Sequence, residues 1–436
     1  MSLRDRLRSL GGEKPGSTNA LAPTLSHRER EHGERGPARW AWPIESVVDG
    51  DHYPTSEGTC FVVEHRYPVS QPHGRFSLQS VLELPPEMAV FWCRDEALWG
   101  FDPRRAIFLD LETTGLAGGT GTYAFLVGLG WVEDEEFCLR QYFLREYSEE
   151  RPLLLAVNEA LGRGETLITY NGKCFDWPLL ETRFVYSRLR PSLSDPLHMD
   201  LLYPARRLWR HRLESCSLSS LEQNVLGVER EGDVPGWLIP TLYFRYLTER
   251  DARPLRSVFE HNRLDLLSLA TLAGLFGQLG PGMTAEPSYL RGPDYYGLGR
   301  ALEDAGRLEE CTVCYERALQ GELPQAMKEQ TLARLSLVYK RLRQSQQAID
   351  IWHRLASRHD AGALWPCIEL AKYYEHQAHD YRMAEEMALR ALRALELRWS
   401  ASSQAQDRAD LMRRLHRIRS KRQRSTCRSL PAESET

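Results

Sequence analysis

Three short stretches carry the residues whose types and spacing could do chemistry. In Ile107-Phe-Leu-Asp-Leu-Glu-Thr-Thr-Gly115, Asp110 and Glu112 alternate with Leu109 and Leu111. Alternation with period 2 puts both carboxylates on one face of a single strand. Two acids side by side at the end of an apolar strand repel one another and lose hydration, and a divalent cation between them relieves both costs. The plainer alternative is a solvated Asp and Glu at a strand end.

The second stretch is Thr169-Tyr-Asn-Gly-Lys-Cys-Phe-Asp-Trp-Pro-Leu-Leu180. Asn171-Gly172 marks a sharp turn off a strand, and Asp176 follows at the start of a helix whose first turn suits Pro178. Alone, Asp176 reads equally well as a helix cap. Its place beside a strand end, where ligands collect in α/β folds, favours a site. The third stretch is Val258-Phe-Glu-His-Asn-Arg-Leu-Asp-Leu-Leu-Ser-Leu-Ala270, within a helix expected from about Arg256 to Phe276. His261 and Asp265 are four apart and share one helical face. A surface His/Asp pair is the commoner reading of that spacing.

These stretches need a scaffold. The strand at 107, the apolar run Tyr123 to Trp131 and the alternating run Phe137 to Leu144 read as an antiparallel meander with the acidic strand first. A helical pattern over Ser148 to Leu161, a strand at Thr166 to Tyr170 and a helix over Trp177 to Leu189 follow. That order implies an α/β fold, a mixed sheet flanked by helices. Before it, residues 1–38 read as a disordered segment and residues 39–99 as a small β-rich lead-in. The domain carrying the three stretches spans 100–280.

Beyond Gly280-Pro281-Gly282 the pattern turns all-α. Helix pairs over 288–397 align on Tyr315-Glu-Arg-Ala, Trp352-His-Arg-Leu and Ala388-Leu-Arg-Ala, with offsets of 37 and 36 residues. This is near the tetratricopeptide period and reads as an interaction or packing module, with a protein as the partner it would take. Residues 398–436 form a basic tail, with nine Lys or Arg against one acid between Arg408 and Arg428. Leu411, Leu415 and Ile418 give it a thin apolar stripe; it reads as a nucleic-acid-binding helix or as a solubilising disordered end. The cluster Arg206, Arg207, Arg210 and Arg212 divides the same way, between a nucleic-acid groove and a solvated helix face.

The chain has 436 residues, 42% hydrophobic and 27% charged, with a net charge of −4. It has room for two or three domains and no overall drive toward polyanions, so any basic footprint is local. No apolar run is long enough to cross a membrane. Nine scattered cysteines with no secretory signal before them read as reduced thiols in a cytoplasm. The one CxxC, Cys311-Thr-Val-Cys314, has no partner pair and lies in a helical pattern, which argues against zinc.

Together the three stretches resemble the DEDD (DnaQ-like) 3′-5′ exonucleases of the ribonuclease H-like fold. Phe108-Leu-Asp-Leu-Glu-Thr-Thr-Gly115 looks like their first motif, Tyr170-Asn-Gly-Lys-Cys-Phe-Asp-Trp-Pro178 like the second and His261-Asn-Arg-Leu-Asp265 like the third. The Gly-Gly-Thr-Gly-Thr run after the first motif, with the trailing helical repeats, is similar to a bacterial subgroup of the YprB type. The resemblance implies a two-metal nuclease acting on DNA or RNA. Asp110, Glu112 and Asp265 would hold one Mg²⁺ or Mn²⁺, and Asp110 with Asp176 a second. His261 would act on the attacking water, and Thr113 and Asn171 would contact substrate. One feature departs from the family. Its histidine branch places His five residues before the last Asp and its tyrosine branch places Tyr four before, whereas this chain has His at the tyrosine spacing.

The competing expectations are a structure-selective endonuclease on the same fold and a non-catalytic scaffold using the repeats. A phosphate-binding loop at Gly118-Gly-Thr-Gly121 lacks the P-loop lysine and a clean following helix.

Overall fold

The computed structural model describes residues 42–115, 121–283, 286–357, 360–397 and 401–428. The expected disordered segment 1–38 and the Gly118 loop lie outside them.

Seven strands form one sheet in the order β1-β2-β7-β6-β5-β8-β9. They are β1 (Asp51–Thr55), β2 (Gly58–Pro68), β5 (Ala106–Thr113), β6 (Ala124–Glu133), β7 (Glu136–Phe143), β8 (Thr166–Thr169) and β9 (Leu197–Asp200); Pro72–His73 (β3) and Phe76–Ser77 (β4) make a separate two-stranded pair. From β1 to β5 every pairing is antiparallel, and β8 and β9 then add in parallel. The expected meander is present as β5-β6-β7, within the expected mixed sheet flanked by helices. In the lead-in, β2 pairs along β7, so its strands extend the main sheet. That pairing joins residues some seventy positions apart, beyond any local pattern.

Strand β6 is buried along nearly its whole length, as its unbroken apolar composition requires of a central strand covered on both faces. Between β6 and β7, Asp134 takes a left-handed conformation, which lets the acidic turn reverse the chain tightly. Around the sheet lie α1 (Pro86–Cys93), α2 (Glu150–Leu161), α3 (Asp176–Tyr186), α4 (Leu202–Trp209), α5 (Leu218–Leu221), α6 (Ile239–Glu249) and α7 (Arg256–Gln278). Helix α7 carries the third stretch across the sheet. The buried Trp92 indole of α1 donates to the carbonyls of Phe276 (3.0 Å) and Leu279 (2.6 Å), satisfying acceptors at the end of α7 that have no partner within the helix.

Among the described residues, three antiparallel hairpins follow: α8 (Gly292–Asp304) with α9 (Leu308–Gln320), α10 (Gln325–Arg341) with α11 (Ser345–Ala356), and α12 (Leu364–His376) with α13 (Tyr381–Glu396). Tyr315, Trp352 and Ala388, the residues that align in sequence, are all buried and occupy the same position in the second helix of each pair. The segment read as a basic tail is largely helical, α14 (Ala401–Arg428). Its stripe Leu411, Leu415 and Ile418 is buried. Its cations are drawn to two acids: Arg414, Arg417 and Lys421 surround Glu375, and Arg419 and Arg422 reach Glu385. The sequence showed that charge but not the acids that meet it.

The arginine cluster near residue 210 is likewise half internal. Arg207 bonds the carbonyl of Trp92, and Arg212 pairs at 2.8 Å with the fully buried Asp294 of α8. Arg206 and Arg210 are exposed. No helix among the described residues is long and apolar enough to cross a membrane. Burial pushes the thiols of Cys311 and Cys314 up to about 12, a poor starting point for a thiolate metal site.

Helix α7 sits close on β6 because residue 128 has no side chain. A Cβ there would lie 2.4 Å from Oδ1 of Asn262 and 2.8 Å from Cδ1 of Leu266. Gly128→Ala is therefore expected to lower unfolding stability by about 1–3 kcal/mol, the range for overpacking a close contact. Urea unfolding checks this, and an unchanged midpoint and slope would contradict the packing described.

Candidate active site

The pocket is built from the ends of three elements. Strand β5 pairs with β8 only as far as Phe108 opposite Ile168, so the acid-bearing half of β5 has no partner on that side. The N–H of Leu111, between the two acids in sequence, instead donates to Oδ1 of Asp176 at 3.2 Å. Asp176 is the first residue of α3 and no side chain caps that helix, so the cap reading of this carboxylate does not hold. Its role is to close on β5.

Helix α7 supplies the other wall. Asn262, fully buried, donates to Oδ2 of Asp110 at 2.7 Å and to its carbonyl at 3.2 Å. Its own Oδ1 accepts from Nε2 of Gln141 on β7 at 2.9 Å, which fixes the amide orientation. One turn apart, His261 and Asp265 face the same pocket: Nε2 of His261 is 3.5 Å from Oδ2 of Asp265 and 4.0 Å from Oε1 of Glu112. Asp110, Glu112, Asp176, His261 and Asp265 thus come together from β5, α3 and α7.

The electrostatics follow from this crowding. Burial pushes the Asp110 carboxyl well above the usual carboxylate range, and the charges of Asp265 and Asp176 add to it against the opposing Asn262 hydrogen bond. Glu112 is raised in the same way, by burial and then by Asp110, Asp265 and Asp176. Asp176 is raised to about 7 by burial, despite the Leu111 N–H that favours its charged form. Carboxylates that lose hydration together need a cation or protons.

The other two expected residues, Thr113 and Asn171, lie at the end of β5 and in the turn leaving β8. The Thr113 hydroxyl donates to the carbonyl of Gly115 at 3.0 Å. Asn171 takes a left-handed conformation in the turn leaving β8, and its N–H donates to Oδ1 of Asp200 at 2.7 Å. Asp200, at the end of β9, also accepts from the N–H groups of Lys173 (3.1 Å) and Leu202 (3.1 Å) and so organises the loop that delivers Asp176.

Sequence reasoning missed Asp200, Asn262, Arg230, Asp233 and Glu222. Asp200 closes the run Leu197-His-Met-Asp, whose position after a helix was the available strand signal. Arg230 and Asp233 lie in an irregular segment with no periodicity to read. Asp233 Oδ1 is 2.7 Å from Nδ1 of His261. Arg230 Nη1 also lies 3.2 Å from that nitrogen, but a nitrogen committed as a donor to a carboxylate cannot also accept. The guanidinium of Arg230 bonds Oδ1 of Asp265.

The donor set consists of carboxylate oxygens, hard donors of the kind a hard divalent cation takes. Among the described residues no three His, Cys, Asp or Glu side chains converge as ligands in this conformation. Arg230 occupies one of the two oxygens that Asp265 would offer.

The sequence profile of the RNase_H superfamily matches residues 107–276, which contain all five pocket residues. The chain is also similar to YprB of Bacillus subtilis (strain 168), with 32% identity over 342 residues covering 76% of this chain and 80% of that protein.

The raised carboxyls make a pH prediction. A carboxyl whose folded pKa lies above its unfolded value binds protons preferentially in the folded state. Its stabilising contribution is present below the unfolded value and is lost as pH rises through the folded one. For Asp176 that window runs from 3.8 to about 7. The metal-free protein is expected to melt at lower temperature as pH is raised from 5.5 to ~8, and saturating Mn²⁺ should flatten the dependence. Calorimetric scans with and without Mn²⁺ test this; a flat metal-free profile would count against the crowded pocket.

Proposed function

The chain belongs to the RNase H superfamily, and on that footing we propose that it is a divalent-metal-dependent nuclease, a 3′-5′ exonuclease of DNA or RNA. The observation that carries the reading is the convergence of Asp110, Glu112 and Asp176, all raised toward their protonated forms, beside His261 and Asp265. Such an acid pocket is unfavourable unless cations offset it, and phosphodiester hydrolysis is chemistry that paired cations serve.

In this reading Asp110, Glu112 and Asp265 hold one Mg²⁺ or Mn²⁺, and Asp110 with Asp176 holds a second. The bound ions supply Lewis acidity for the attacking water and for the leaving 3′ oxygen. The chain's own residues do the rest. Asn262 keeps the Asp110 carboxylate in a single orientation. Leu111 N–H holds one oxygen of Asp176 against β5. Asp233 accepts from His261 Nδ1–H, which leaves Nε2, on the Glu112 and Asp265 side, with its lone pair available. Nε2 then takes the proton from the attacking water, as a general base. The tyrosine-type spacing thus carries a histidine with an orienting acid of its own.

The helical array is read as tetratricopeptide-like, a surface for a protein partner. Its support is the equivalent placement of Tyr315, Trp352 and Ala388.

The test is degradation of 3′-labelled single-stranded DNA and RNA in Mn²⁺, with a closed circle as control for internal cleavage. Loss of nucleotides from the 3′ end with the circle intact is expected; cleavage of the circle would point to an endonuclease, and no hydrolysis of any of them would overturn the reading. Asp110→Asn should abolish hydrolysis while the metal-free protein melts no lower, because one repelling charge is gone. His261→Ala should lose on the order of 10²–10⁴ in rate. Wild-type turnover in either variant would remove that residue from the mechanism.

A further inference from the structure

Arg230 is a cation inside an acid pocket, and no motif of the chain announces it. It lies in the segment between a one-turn π-helical stretch, Glu222–Leu226, and α6. Its side chain is only 7% exposed. One edge of the guanidinium is clamped by Glu222, with Nε at 2.6 Å from Oε2 and Nη2 at 2.5 Å from Oε1, the two-pronged geometry that suits arginine. Glu222 is itself buried and is backed by the Ser268 hydroxyl, which pairs with His73 Nε2 at 2.8 Å. Burial pushes the His73 imidazole down to about 4, so it serves this chain as a neutral partner. Arg230 is therefore anchored from behind, independently of the pocket.

Its front reaches the pocket. Nη2 bonds Oδ1 of Asp265, and Nη1 lies 3.4 Å from Asp233. A guanidinium on that oxygen competes with a metal ion for the charge of the carboxylate. Beside Arg230 opens a cavity of about 480 Å³, also lined by Gly232, Asp233, Arg256, Ser257 and Glu260. That space leaves room beside the guanidinium.

We propose that Arg230 is the resident counter-charge of the carboxylate pocket: in the metal-free protein it holds Asp265 while anchored on Glu222, and a metal ion entering the pocket competes with it for Asp265. The inference rests on the metal-dependent reading of the site. Arg230 is a positioning residue here, acting through Asp265. It restrains the acids in the empty pocket and sets the metal concentration at which the site fills.

The experiment is calorimetric titration of the full-length, metal-free protein with Mn²⁺, without substrate. Arg230→Gln should bind Mn²⁺ about tenfold to a hundredfold more tightly, the range carried by a hydrogen bond to a charged group, and should melt lower without metal. In an Asp265→Asn background the same substitution should leave Mn²⁺ affinity nearly unchanged, because the competing contact is already gone. A general field effect would persist in that background and would overturn the proposal, as would unchanged or weaker binding in Arg230→Gln alone. Should Arg230→Gln fail to fold, Arg230→Lys keeps the charge over Glu222 without the two-pronged reach. It should then tighten Mn²⁺ binding to a smaller degree, and no tightening would overturn the proposal. Wild-type protein that binds no Mn²⁺ would overturn the metal site itself, whereas Mn²⁺ binding indifferent to Arg230 would overturn only the role given to the arginine.

Discussion

Asp110, Glu112 and Asp176 are confined where most of their hydration is lost, and burial first and neighbouring acids second hold each toward its protonated form. The surrounding structure answers that repulsion with fixed partners: Asn262 on Asp110, the Leu111 N–H on Asp176 and Arg230 on Asp265. None of these cancels the charge of the whole cluster. Each fixes where one carboxylate stands. Preorganisation of this kind is useful in catalysis because the reorganisation is done during folding rather than at the reacting centre.

The placement of those partners depends on features far from the pocket. Gly128 lets α7 approach β6 closely enough for Asn262 to reach Asp110 across the sheet. Gln141, from the next strand, locks the Asn262 amide. The early end of β8 pairing leaves the Leu111 N–H for Asp176, and Asp200 on β9 gathers the loop before it. Arg207 and Arg212 tie the sheet-bearing half to α1 and to the first hairpin of the array, so charge that suggested a polyanion groove instead joins parts of one body.

The legible features were those with a period. Alternation placed Asp110 and Glu112 on one strand face, four-residue spacing placed His261 beside Asp265, and repeat alignment found the second helices of the three hairpins. What stayed hidden depends on distance in sequence. The pairing of β2 with β7 has no local signature, so the β-rich lead-in gave no sign that it extends the main sheet. Arg230 and Asp233 come from an irregular segment, and their meaning arises only when Glu222, His261 and Asp265 are folded against them. The C-terminal cations read as a nucleic-acid-binding helix or a solubilising end because Glu375 and Glu385, which receive them, lie more than thirty residues earlier.

On the proposed function, this pocket would hold a pair of divalent ions on shared carboxylates. Electron paramagnetic resonance of the Mn²⁺-loaded protein addresses it without reference to substrate. Two ions about 4 Å apart on a shared carboxylate are magnetically coupled, so the account predicts a spin-coupled spectrum at two equivalents of Mn²⁺ that reverts to an isolated-ion signal in Asp176→Asn. Isolated-ion spectra at every loading of the wild-type chain, or no bound Mn²⁺, would contradict it.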